Sequence, residues 1–130
     1  MEYRNVLVDT SVIIDFLRKA NKKNTYLWNI MSTDSKILIS SVTVFELYSG
    51  AITENHIEDL KTIMAWFEVI PLSDKIARRS ATIYKILRAR NQIIEFRDIF
   101  IGATAIELLT PLATLNKKHF ERIDSINIIN

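Results

Sequence analysis

Apolar residues along this chain recur with two different periods, and the switches between them lay out the elements. Tyr3 to Val8 reads as a first strand, leading into a segment with Val12, Ile13, Phe16 and Leu17 at helical spacing. A second helix is expected over Thr25 to Met31. Lys36-Ile37-Leu38-Ile39-Ser40 has the form of a short buried strand, and Ser40 or Ser41 can cap a following helix that ends near Gly50. His56 to Glu68 reads as a helix and Val69-Ile70 as a strand stopped by Pro71. Ser73 then caps a long helix to about Arg90, with Ile76, Ser80, Ile83, Tyr84 and Leu87 facing inward. A helix over Arg97 to Leu109, a strand over Pro111 to Leu115, a helical turn at Lys117 to Phe120 and a last strand over Ile126 to Ile129 complete the pattern.

Strands alternating with helices predict an α/β fold whose parallel sheet is covered on both faces. Such sheets bind ligands outside the carboxyl ends of their strands. Asp9 lies at the end of the first strand and Asn116 just beyond Pro111 to Leu115. Glu46 and Asp98 are expected in the first turns of helices that start on the same edge. Four polar groups distant in sequence thereby converge on one cleft.

Carboxylates in such places are costly to desolvate unless something positive neutralises them. A divalent cation would do so, and hard oxygen donors select magnesium or manganese. Each acid also has a plainer explanation. Asp9 precedes an apolar helix and suits an N-cap; Glu46 could be an exposed glutamate, although Val42, Thr43, Ser49 and Gly50 leave space beside it. Asp98 shares a helical face with Ile101, Gly102 and Ala105, and a poor helix former one turn away suggests close approach of backbone or ligand. Asp15 reads as a surface acid paired with Arg18 or Lys19, and His56 as part of a polar helix face. His119 lies near Asn116 and could contact a phosphate, but its place before the core residue Phe120 favours a structural role.

Composition narrows the classes. A length of 130 residues suits one domain, and 48% hydrophobic with 25% charged residues is an ordinary globular balance. The absence of cysteine excludes disulfides, zinc–thiolate sites and thiol catalysis and suits the cytoplasm. No secretory signal is expected, since Asp9 interrupts the first apolar run, and no apolar run is long enough for a membrane span. The net charge of +2 announces no bulk attraction to nucleic acid. Locally, Lys75, Arg78, Arg79, Lys85, Arg88 and Arg90 fall in one segment, which could be a solvated helix face or an RNA-facing patch.

Four motifs taken together carry a resemblance: VLVDTSVIIDFLR (6–18), ISSVTVFELYSGA (39–51), FRDIFIGATAIE (96–107) and LATLNKKHFERI (112–123). In this order and separation they resemble PIN-domain ribonucleases, and among them the VapC-type toxins of type II toxin–antitoxin pairs. The resemblance implies a single PIN domain over 1–130 with a three-layer α/β/α fold and a central, mostly parallel sheet. It implies that Asp9, Glu46 and Asp98 are the acidic metal-binding residues and that Asn116 stands where many relatives carry a fourth acid. Thr10, Ser11 and Thr114 resemble the polar residues lining such sites. The implied activity is magnesium- or manganese-dependent RNA hydrolysis, with Arg78, Arg79, Lys85 and Arg88 offsetting RNA backbone charge.

The implied partners are RNA, a second copy of the chain and a VapB-like antitoxin that reaches promoter DNA on behalf of the pair. Tyr26, Leu27, Trp28, Ile30, Tyr48 and Trp66 are candidates for the antitoxin groove or for core. Two other classes stay open. A phosphatase or receiver-like domain also places an aspartate after its first strand, although Ser11 stands where a dehalogenase-type phosphatase needs a second acid. A non-catalytic PIN-like interaction module is the other.

Overall fold

The computed structural model describes residues 3–129. Its strands are β1 (Asn5–Val8), β2 (Lys36–Ser40), β3 (Glu68–Ile70) and β4 (Leu112–Ala113). The helices are α1 (Thr10–Arg18), α2 (Tyr26–Met31), α3 (Ser41–Gly50), α4 (Glu54–Met64), α5 (Asp74–Ala89), α6 (Phe96–Glu107) and α7 (Lys117–Phe120). The strands form one sheet in the order β3-β2-β1-β4, and every pairing is parallel.

Strand periodicity explains the layers. Side chains alternate across a sheet, so Val6, Val8, Ile37, Ile39 and Ala113 enter one core while Leu7, Leu38 and Leu112 enter the other. The first core is closed by Val12, Ile13 and Phe16 of α1, Leu27 and Ile30 of α2, Leu47 of α3, and Leu60 and Ile63 of α4. The second is closed by Ile76, Ile83 and Leu87 of α5, Ile99 and Ile101 of α6, and Phe120 and Ile123. The result is the expected three-layer α/β/α arrangement. Among the described residues, no helix is long and apolar enough to cross a membrane.

Caps define most helix starts. Asp9, Thr25, Ser40, Thr53 and Ser73 each accept a backbone N–H of the first turn. Several expected boundaries shift for identifiable reasons. The helix read over His56 to Glu68 runs from Glu54 to Met64, because Glu68 pairs in register with Leu38 and opens β3. Its side chain also meets Lys36 at 2.5 Å. The strand read over Pro111 to Leu115 shortens to Leu112–Ala113. The last expected strand is only a bridge between Leu112 and Ile128, beyond a turn in which Ser125 adopts φ 67°.

Gly102 answers a question that periodicity raised. A Cβ there would lie 2.5 Å from Ile123 Cδ1. The close approach is therefore made by a core side chain, not by backbone or ligand. Glycine here leaves the segment after α7 room to seat the end of Ile123 against α6. Of the apolar residues considered for a groove, Leu27 (0% exposed) and Ile30 (7%) belong to the core. Trp28, Tyr48 and Trp66 remain exposed.

Candidate active site

Asp9 follows β1 directly and caps α1, so its backbone and side chain have separate tasks. Its N–H donates to Ala113 O at 3.0 Å, which ties the ends of β1 and β4 together. Its Oδ1 accepts from the Ser11 N–H at 2.9 Å and its Oδ2 from the Ser11 hydroxyl at 2.8 Å. The Thr114 hydroxyl also donates to Oδ2. Ser11 and Thr114 are fixed in turn: the Ser11 Oγ accepts from Leu115 N–H and the Thr114 Oγ1 from Asn116 N–H. The cap explanation for Asp9 is correct, but it accounts for only part of these bonds.

Glu46 lies in the second turn of α3, not the first, because α3 starts at Ser41 immediately after β2 with no loop between them. It still reaches the sheet edge. The Thr10 hydroxyl donates to Glu46 Oε1 at 2.8 Å and contacts the buried Thr43 hydroxyl at 3.0 Å. The Arg97 guanidinium meets Oε2 at 3.0 Å. Burial pushes the Glu46 carboxyl above its ordinary pKa; Thr10 and Arg97 pull it down, while Asp98 and Asp9 push it further up.

Asp98 does lie in the first turn of α6. Its Oδ2 meets His119 Nδ1 at 3.1 Å, and the same ring nitrogen lies 2.8 Å from the Asn116 side-chain amide. A protonated Nδ1 donates to Asp98; an unprotonated one accepts from Asn116. Asp98 is also pushed above its ordinary pKa, first by burial and then by the charge of Asp9, against the opposing bond from His119. Asp9, Glu46 and Asp98 thus share one electrostatic field, and burial with mutual repulsion pushes Glu46 and Asp98 toward their neutral forms.

The donor set is made of hard oxygens, which fits magnesium or manganese. Among the described residues, no three His, Asp or Glu side chains stand close enough together to enclose a metal ion by themselves. Two basic side chains sit within the acidic group, the Arg97 guanidinium on Glu46 and the His119 ring on Asp98. Sequence reasoning passed over Arg97 altogether and read His119 as structural. The only signal for either was proximity to a motif acid, Arg97 beside Asp98 and His119 three residues after Asn116.

The basic segment of α5 divides. Arg79 bonds Glu107 at 2.7 Å and Arg78 pairs with Asp74 at 3.0 Å. Glu107 ends α6, roughly 13 Å along the helix axis from Asp98 at 1.5 Å per residue. Arg79 therefore belongs to the far end of the α5–α6 pair. Tyr84 packs edge-on against Phe96 at 5.6 Å, which puts Lys85 and Arg88 toward the Asp98 end. A cavity of about 260 Å³ opens beside Glu46, with Ile14 and Leu17 of α1, Leu47 of α3 and His56 and Leu60 of α4 in its wall.

The PIN domain family model matches residues 6–126. Ribonuclease VapC1 of Methanocaldococcus jannaschii is 31% identical over 127 residues, covering 98% of this chain and 87% of that protein. Ribonuclease VapC10 of Mycobacterium tuberculosis is 32% identical over 121 residues, covering 93% and 90%. In fold, the chain is similar to a protein of the DNA-bound VapBC from Salmonella typhimurium, with a TM-score of 0.86, 23% identity and 98% of each chain covered. Sequence match and fold agree along nearly the whole length: the chain belongs to the PIN-domain family and, within it, to the VapC group.

Proposed function

We propose that this chain is a magnesium- or manganese-dependent endoribonuclease and the toxin of a type II toxin–antitoxin pair. The observation that carries the reading is the acidic group itself. Asp9, Glu46 and Asp98 come from three elements, gather at the carboxyl edge of the sheet, and leave Glu46 and Asp98 above their ordinary pKa. Relatives named ribonucleases over nearly the same length support it.

In this reading Asp9, Glu46 and Asp98 hold the cation, directly or through water. When bound, the cation supplies a water of lowered pKa and polarises the scissile phosphoryl group. The protein's own part is to orient. Ser11 and Thr114 fix the Asp9 carboxylate, Thr10 fixes Glu46, and His119 fixes Asp98. Asn116 brings a carbonyl without charge, so one cation is expected in place of two. In-line hydrolysis then leaves a 5′-phosphate and a 3′-hydroxyl. Lys85 and Arg88 are the better placed α5 cations for the RNA backbone.

The partner reading follows from the VapBC assemblies that share this fold. A VapB-like antitoxin would seat apolar side chains near exposed Trp28, Tyr48 and Trp66, and would carry the promoter-DNA contact for the pair. A homodimer acting in the cytoplasm completes the proposal.

Asp9→Asn and Asp98→Asn, nearly isosteric, test it. Each variant should stay folded by circular dichroism and lose magnesium-dependent RNA cleavage. Cleavage by the double variant at the wild-type rate would remove these residues from the reaction. Mapping RNA 5′ ends after brief induction would name the target.

A further inference from the structure

Both carboxylate oxygens of Glu46 are already engaged by the protein. Oε1 accepts from Thr10 at 2.8 Å, and Oε2 pairs with Arg97 at 3.0 Å. Arg97 is itself held from two sides, since its other terminal nitrogen bonds Glu95, the residue that caps α6. The exposures describe the arrangement: the Glu46 side chain is 15% exposed, Arg97 51% and Glu95 61%. Arg97 thus reaches inward from an acid at the rim to an acid of the site. A divalent cation using Glu46 as a ligand would need the charge that Arg97 now takes.

We propose that Arg97 is an internal competitor for the divalent cation, occupying Glu46 Oε2 until the cation displaces it. The inference rests on the metal-dependent reading above and adds to it a residue that sets how readily the site loads. Glu95 makes the exchange feasible, because the displaced guanidinium keeps a carboxylate partner at the rim and is not stranded. A half-exposed arginine holds its partner weakly, since solvent and salt screen such pairs. The effect is therefore a tuning of cation affinity, not a block.

A residue that merely orients Glu46 would behave in the opposite way: its removal would loosen the carboxylate and weaken cation binding. Removal of a competitor strengthens it. The sign separates the two roles without any measurement of cleavage.

The test is titration of the full chain with Mn²⁺, followed by calorimetry or by loss of the free-ion electron paramagnetic resonance signal. Arg97→Gln should bind Mn²⁺ about two- to fivefold more tightly than wild type, the range set by a screened ion pair. Arg97→Lys, which keeps the charge, should stay close to wild type. Arg78→Gln, which removes a cation paired with Asp74 on α5, should change nothing. Affinity of Arg97→Gln equal to or weaker than wild type overturns the competitor role, as does equal tightening by Arg78→Gln, which would reflect net charge alone. If wild type binds Mn²⁺ and Arg97→Gln binds no tighter, only this inference fails. If neither binds Mn²⁺, the metal-dependent reading fails with it.

Discussion

The Asp98 carboxylate meets the His119 ring at 3.1 Å and still sits above its ordinary pKa, because burial outweighs the histidine and Asp9 adds its own repulsion. Burial and that repulsion together favour the neutral acid more than the histidine contact opposes it.

A stability prediction follows from the sign of that shift. A carboxyl whose folded pKa is raised binds its proton more readily folded than unfolded. Its contribution is favourable below the unfolded value and is lost as pH rises through the folded value. At neutral pH, without divalent cation, Asp98→Asn should melt above wild type. The gap should close as pH falls into the carboxylate range, where Asp98 becomes neutral too. Thermal melts across pH check this, and an Asp98→Asn variant melting below wild type at pH 7 would contradict it.

Thr114 tests the support beneath Asp9. The threonine is 1% exposed, and its hydroxyl both donates to Asp9 and accepts from Asn116 N–H. Thr114→Val keeps the shape, leaves the Asn116 N–H without its acceptor and leaves Asp9 to Ser11 alone, at about 1–3 kcal/mol. Urea denaturation should show that loss, and RNA cleavage should fall by roughly tenfold or more for each 1.4 kcal/mol of misplaced orientation. Unchanged cleavage would mean that Ser11 alone suffices to hold Asp9.

Gly102 and Ile123 form a second testable pair. Gly102→Ala gains about 1 kcal/mol of helix propensity but places a methyl 2.5 Å from a buried Ile123 Cδ1. The atom met is the movable end of the Ile123 side chain, so its relief costs toward the low end of the about 1–3 kcal/mol of overpacking, and Gly102→Ala should stay within about 1 kcal/mol of wild type. Ile123→Val removes the atom that would be met, so Gly102→Ala should be more favourable in that background than in wild type. A double-mutant cycle read by urea denaturation gives the coupling directly.

The divided basic segment predicts unequal effects on RNA. Lys85→Gln with Arg88→Gln should weaken binding to a non-cleavable RNA and flatten its salt dependence. Arg78→Gln with Arg79→Gln should do much less, because those cations answer Asp74 and Glu107. Filter binding at two salt concentrations distinguishes the pairs, and equal losses would place RNA along the whole of α5.

Period and caps made most of the layers legible. The alternation of Val6, Leu7 and Val8 required two covered faces, and Ser40 and Ser73 marked where helices begin. What stayed hidden depended on partners distant in sequence. Trp66-Phe67-Glu68 continues a helical pattern, yet the β2 ladder claims Glu68. Arg97 looks like any surface arginine until α3 brings Glu46 beside it. His119 is uninformative until α7 docks against the first turn of α6. The carboxylates were readable because strand ends and helix starts fix their positions locally. Their cationic neighbours were not, since tertiary docking alone makes them neighbours.

The bonds from Thr114 to Asp9 and from His119 to Asp98 carry a consequence for how the molecule comes into being. A ribosome delivers Asp9 early and the segment bearing Thr114, Asn116 and His119 late. Until that segment docks, Asp9 has Ser11 without Thr114 and Asp98 lacks His119. On the reading proposed here, the site is complete only when that later segment docks.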